Sequence, residues 1–236
     1  MPEIDLWRFV FPEHRLFVIN RHAMGDDRTR IIQRGFFNGM GWVVWQDVFG
    51  LALPFTPAEA VLLKRCRTIL REQLAAINSP QPTPLLATGA PHVYANTFPA
   101  EHKQLWTLYN TADTPVHGTL LRVEPRAGFH FVDVWNNLPL DLDGDGGLTL
   151  TLAPRSVGAV VAFSQLLSYQ PEHNTVVLNE ALPDATIELR SLGQGWETSA
   201  TARTFELPQA NGQYIVRLVR DRELLDQLVI PNGETW

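Results

Sequence analysis

The 236 residues, 45% of them hydrophobic, carry enough apolar material for one or two packed domains, or more where the units are small β modules. A net charge of −6 with no clustering of Lys or Arg excludes a surface built for nucleic acid or for an anionic membrane. The one cysteine, Cys66, excludes an intramolecular disulfide, and neither a membrane-spanning run nor a secretory signal (basic stretch, then apolar stretch) is expected in this chain.

In chain order, Arg15–Arg21 reads as a short apolar strand with a polar exit. Asp26 and Asp27 supply an N-cap and a favourably charged first turn for a helix from about Arg28 to Asn38, with Gly39 as its stop. Trp42–Trp45 follows as a continuous apolar run, released by Gly39 and Gly41 and running straight into Gln46 and Asp47. Such a run suits a strand buried on both faces of a parallel sheet. Polar groups at the carboxyl end of such a strand are where α/β barrels keep their chemistry. Gln46 and Asp47 hold that position, with Trp45 beside them as a sugar-stacking platform; the plainer alternative is a core tryptophan and a polar strand exit. Thr56-Pro57-Ala58-Glu59 then gives N-cap, first-turn proline and a capping-box glutamate. The helix it opens runs to Ile77, with Val61, Leu62, Leu63, Cys66, Ile69, Leu70, Leu74 and Ile77 on its apolar stripe and Lys64, Arg65, Arg67, Arg71 and Glu72 facing water.

Beyond the proline-rich break at 78–84 nearly everything reads as strand. Leu105–Tyr109, Gly118–Val123, Phe129–Trp135, Leu148–Leu152 and Gly158–Ala162 are short, alternating or apolar, and spaced as in an antiparallel sandwich. Thr175–Leu178, Thr186–Leu189, Arg203–Leu207, Tyr214–Val219 and Leu225–Ile230 repeat the theme, with Asn211-Gly212 as a turn, in a segment small enough to lean on its neighbour.

The run from Phe9-Val10-Phe11-Pro12-Glu13 through Phe36-Phe37-Asn38-Gly39, Trp42–Trp45 and Phe49-Gly50 resembles the end of a glycoside-hydrolase-type (β/α)8 barrel. The stretches Leu105–Asn110, Thr114–Val116, Phe129–Asn136 and Leu152–Ala159 are similar to the β-sandwich that trails such barrels, so the resemblance covers roughly residues 8 to 163. It implies an α+β multidomain chain: two βα units of a partial barrel over 1–78, a linker over 79–90, an antiparallel β-sandwich over 91–165 and a small immunoglobulin-like β module over 170–236. It further implies a carbohydrate partner in the complete protein and a sugar site lined by Asn20 and Arg21 from one strand and by Trp45, Gln46 and Asp47 from the other. Trp45 would stack on a ring while the polar groups bind hydroxyls. Only Asp47 is a candidate for proton transfer, and glycoside hydrolysis needs a second carboxylate. A barrel of this type has eight strands and the chain has material for two, so turnover by the chain alone is not expected, and Met1 is compatible with an internal start in a longer gene. The competing reading is a non-enzymatic β-sandwich that binds or spaces, presenting a surface to glycans or to a protein.

Other constellations carry less. Asp141, Asp143 and Asp145 mimic half a calcium loop, but Leu152 stands where the closing glutamate belongs, and a β-turn is the better reading. The seven histidines lack metal-ligand spacing, and Ser156 and Ser164 lack a nucleophile elbow, so no metal and no cofactor is expected. Trp106, Tyr109, Phe129, Phe131 and Trp135 read as core rather than as a flat sugar platform, with Phe129, Phe131 and Trp135 on one strand face.

Overall fold

The computed structural model describes residues 4–20, 27–44, 54–191, 197–199, 203–208 and 212–230. The chain is mixed α+β: two βα units at the N-terminus, then antiparallel sheets.

A short helix α1 (Leu6–Val10) leads into β1 (Phe17–Asn20). Helix α2 (Arg28–Phe37) crosses over to β2 (Gly41–Val44), which lies parallel to β1. Asp27 caps α2, its carboxylate accepting from the Arg30 amide at 3.0 Å. Gly39, at φ +62°, takes the left-handed turn that ends α2 and lets β2 start two residues later. Helix α3 (Pro57–Glu72) opens on the full Thr56/Glu59 capping box. It stops earlier than its apolar period implies. Gln73 leaves helical geometry (φ −108°, ψ 31°), and the Ala75 amide donates to the Glu223 carboxylate at 3.2 Å, so Leu74–Ile77 forms a separate turn, α4.

The expectation of a doubly buried β2 is corrected here: Val43 and Val44 are 39% and 41% exposed, and Phe17 and Ile19 on β1 are 59% and 54% exposed. Among the described residues the parallel sheet has two strands; Trp42 packs against α2 and the helix-side core, while Phe17, Ile19 and Val43 on the alternate positions stay exposed.

A six-stranded sheet follows, in the order β3 (Thr83–Leu86), β4 (Val93–Pro99), β5 (Lys103–Asn110), β10 (Ser156–Ser164), β7 (Phe129–Asp133), β8 (Leu138–Leu140). Strand β3 lies inside the segment read as a linker; its one proline, Pro84, is tolerated because it is the edge strand, beyond which no ladder bond is needed. The central strand β10 is buried on both faces. Val157, Ala159, Val161 and Phe163 turn toward the helices and share a core with Phe36, Phe37, Cys66 and Ile69. Val160 and Ala162 turn the other way, into a second core closed by the ribbon β6 (Val116–Arg122) and β9 (Gly147–Leu152). Trp106 and Phe131 belong to that second core, as expected of core aromatics. Trp135 does not share their face: β7 ends at Asp133, the chain turns, and the indole joins the helix-side core 5.3 Å from Phe36.

The C-terminal module packs the sheet β11 (Leu167–Gln170), β12 (Thr175–Leu178), β15 (Thr204–Glu206) on the sheet β14 (Glu197–Ser199), β13 (Thr186–Ser191), β16 (Tyr214–Arg220), β17 (Glu223–Ile230) around a third core. Of the expected Asn211-Gly212 turn, Asn211 lies outside the described residues.

Candidate functional site

The parallel register pairs Asn20 with Val44, so β1 and β2 end side by side. Helix α2 begins at this carboxyl end after β1, and α3 begins there after β2. The two helix starts are tied together: Arg28, 3% exposed, donates through Nε and Nη2 to Glu59 at 3.0 and 2.6 Å and through Nη1 to the Pro54 carbonyl at 3.0 Å, and stacks over Phe55. A bidentate pair of this kind fixes the spacing of the two connections that leave the strand ends.

Of the residues expected to line a sugar site, Asn20 is the last residue of β1 and its backbone alone is described; Arg21, Trp45, Gln46 and Asp47 lie outside the described residues. The carboxylates described at this end are engaged in holding helices. Asp27 caps α2. Burial nudges the Glu59 carboxyl up, but the Thr56 hydrogen bonds and the Arg28 guanidinium together hold it below its ordinary range. Both therefore hold helix starts rather than stand as a free acid or base.

A cleft of about 950 Å³ runs beside the parallel ribbon, between it and α3. Its walls include Leu16, Phe17, Trp42, Leu63 and Leu74, and cations line it: Arg8, Arg15, Lys64, Arg67 and Arg71. The sequence places Lys64, Arg67 and Arg71 in water, which is correct, but their common face on α3 was not read as a feature. The signal was present in their spacing of three and four residues, interleaved with Leu63, Leu70 and Leu74.

Elsewhere the described residues offer little chemistry. No group of three or more His, Cys, Asp and Glu side chains is placed to hold a metal among them. Asp143 spends Oδ1 on the Asp145 and Gly147 amides at 2.9 and 2.6 Å, closing the turn expected of that loop. Cys66 is fully buried on α3, and burial pushes its thiol up to about 12, far from a reactive thiolate.

No family model and no curated protein sequence matches the chain. Similarity to solved structures is partial. An alpha-amylase from Geobacillus thermoleovorans, solved with acarbose, aligns at 12% identity and TM-score 0.46 over 63% of this chain and 38% of its own. A family 30 glycoside hydrolase, a xylanase from Clostridium acetobutylicum, aligns at 12% identity and TM-score 0.41 over 69% of this chain and 46% of its own. A β-L-arabinopyranosidase from Geobacillus stearothermophilus aligns at 12% identity and TM-score 0.40 over 60% and 31%. The chain spans less than half the length of each of these enzymes.

Proposed function

We propose that this chain is the C-terminal portion of a glycoside-hydrolase-like protein, associated with carbohydrate and without turnover by itself. Its divisions are then a barrel end over 1–78, a joining segment over 79–90, a β-sandwich over 91–165 and a small immunoglobulin-like module over 170–236. The observation that carries this reading is the parallel β1–β2 ribbon with its α2 crossover and its exposed apolar faces. Parallel strands occur in sheets covered on both sides, so a two-stranded ribbon with exposed Phe17, Ile19, Val43 and Val44 is a part of something larger. Asn20 and Val44 are paired at one end, and in this reading the sequence beyond them, Arg21 on one side and Trp45, Gln46 and Asp47 on the other, supplies the sugar site. In this reading Trp45 stacks on a sugar ring, and Asn20, Arg21, Gln46 and Asp47 hydrogen-bond its hydroxyls.

Titrating the chain with oligosaccharides while following tryptophan fluorescence tests this. A saturable change that Trp45→Ala removes, with the melting transition preserved, is the expected result. Undiminished binding by Trp45→Ala would move the site elsewhere and favour the alternative, a sandwich that binds or spaces through its β surfaces.

A further inference from the structure

The cleft beside the parallel ribbon has a chemistry that a sugar site does not explain. Helix α3 turns two faces to the protein. One contributes Cys66 and Ile69 to the helix-side core, while α2 is tied to its first turn through Arg28 and Glu59. The other, toward the cleft, presents Ala60 and half-buried Leu63 with Lys64, Arg67 and Arg71 along it, and Leu74 of α4 continues the line, while Leu70 between them is buried in the helix-side core. Ala60, Leu74 and all three of these cations are exposed, and none of the three forms an ion pair with a described residue. Across the cleft, Arg15 adds another exposed cation.

Two side chains that line the same cleft carry buried donors without acceptors among the described residues. Arg8 is 2% exposed; its Nη2 donates to the Ile77 carbonyl, but Nη1 has no partner among the described residues, and neither has the indole Nε1 of Trp42, which lies against Gly35 of α2. Buried donors are nearly always satisfied in a finished interior. Exposed apolar side chains also line the cleft, Phe17 and Val44 on the ribbon and Leu74 on α4, which a small anion would leave uncovered.

We propose that this cleft docks an amphipathic helix of a partner polypeptide whose apolar seam packs on Ala60, Leu63 and Leu74 and whose flanking Glu and Asp side chains meet Lys64, Arg67, Arg71 and Arg15. The charge of the cleft selects the partner: an acidic flank answers four exposed cations, and a basic flank is repelled. The inference deepens the reading of the ribbon as part of a larger assembly, and its test contains no sugar, so the two can fail separately.

The probe is a fluorescein-labelled helical peptide of about five turns, with leucines at three- and four-residue spacing flanked by glutamates, and its twin with lysines in their place. Anisotropy titrations with the full chain should give the glutamate peptide an advantage of at least about tenfold, shrinking as salt is raised. Reversing the face with Lys64→Glu/Arg67→Glu/Arg71→Glu should invert the preference, and the neutral Arg67→Gln/Arg71→Gln variant should narrow it, which also shows that the variant surfaces remain folded. Equal binding of both peptides, binding of neither, a preference unmoved by charge reversal, or full displacement of the glutamate peptide by inorganic phosphate at matched ionic strength would each overturn the proposal; the last would mark a simple anion site.

Discussion

Lys103 is a charged residue at 3% exposure, placed where α3, the six-stranded sheet and β17 meet. Its ammonium pairs with Glu223 and donates to the Leu224 carbonyl at 2.7 Å and the Glu72 carbonyl at 3.2 Å. Burial pulls its pKa down against the opposing pull of Glu223 and Glu72. Removing one partner of such a pair strands the others, so Lys103→Met should lower stability by about 3 kcal/mol in urea unfolding. Nearby, the Asp226 carboxylate is fully buried and accepts from the Leu166, Leu167 and Gln227 amides, while Oδ1 also lies 3.1 Å from His130 Nε2. Burial alone would lower the His130 pKa, but Asp226 and the Gln227 carbonyl outweigh it and the net shift is upward. A folded pKa raised above the unfolded value means that the protonated pair stabilises fully below about pH 6.5, and that this stability is lost as pH rises through the folded pKa. The stability difference between the parent and His130→Gln should therefore be larger at pH 5.5 than at pH 9. A pH-independent difference would show that the pair contributes as a neutral hydrogen bond only.

Local signals were legible where backbone chemistry is local. The capping box at Thr56 and Glu59, the Asp27 cap and the Gly39 stop all stand as the sequence implies, and Thr56→Ala should cost about 1 kcal/mol in thermal unfolding. The strands with clear alternation, such as Leu148–Leu152, were legible as well. What escaped depends on tertiary partners. The α3 stop at Gln73 comes with the diversion of the Ala75 amide to Glu223, 148 residues away. Strand β3 hides among prolines because only its edge position permits it, and Trp135 changes face because the β7 ladder ends two residues before it. Close backbone approach is equally silent in sequence. A methyl group at Gly89 would stand 1.9 Å from the Thr119 carbonyl oxygen, a backbone atom with no rotamer to yield. Gly89→Ala should therefore cost about 2 kcal/mol or more, against little change for Gly144→Ala, where nothing lies within 4 Å. The βα order that sets two strands side by side was legible in the sequence, while the side chains expected to meet a sugar lie outside the described residues.

The whole molecule is held together through one face of the six-stranded sheet. Phe36, Phe37, Ile69, Ile77, Phe98, Val161, Phe163 and Leu224 form a single core drawn from the helices, the sandwich and β17. The Arg217–Glu72 pair at 2.6 Å adds a polar tie between the C-terminal module and α3. The βα units thus have no core of their own, and a fragment of residues 1–84 should aggregate or stay unfolded, since deleting the rest bares the helix face and leaves the ribbon uncovered. A soluble 1–84 fragment with a cooperative melt would contradict this.

Turnover tests the central claim most directly. Hydrolysis of a glycoside needs an acid and a second carboxylate at a set separation, and Asp27 and Glu59 at the strand ends are committed to capping. The purified chain, assayed against a broad panel of aryl glycosides, should release no product above the rate of buffer. Product release that Asp47→Asn abolishes would contradict the account and establish the chain as an enzyme in its own right.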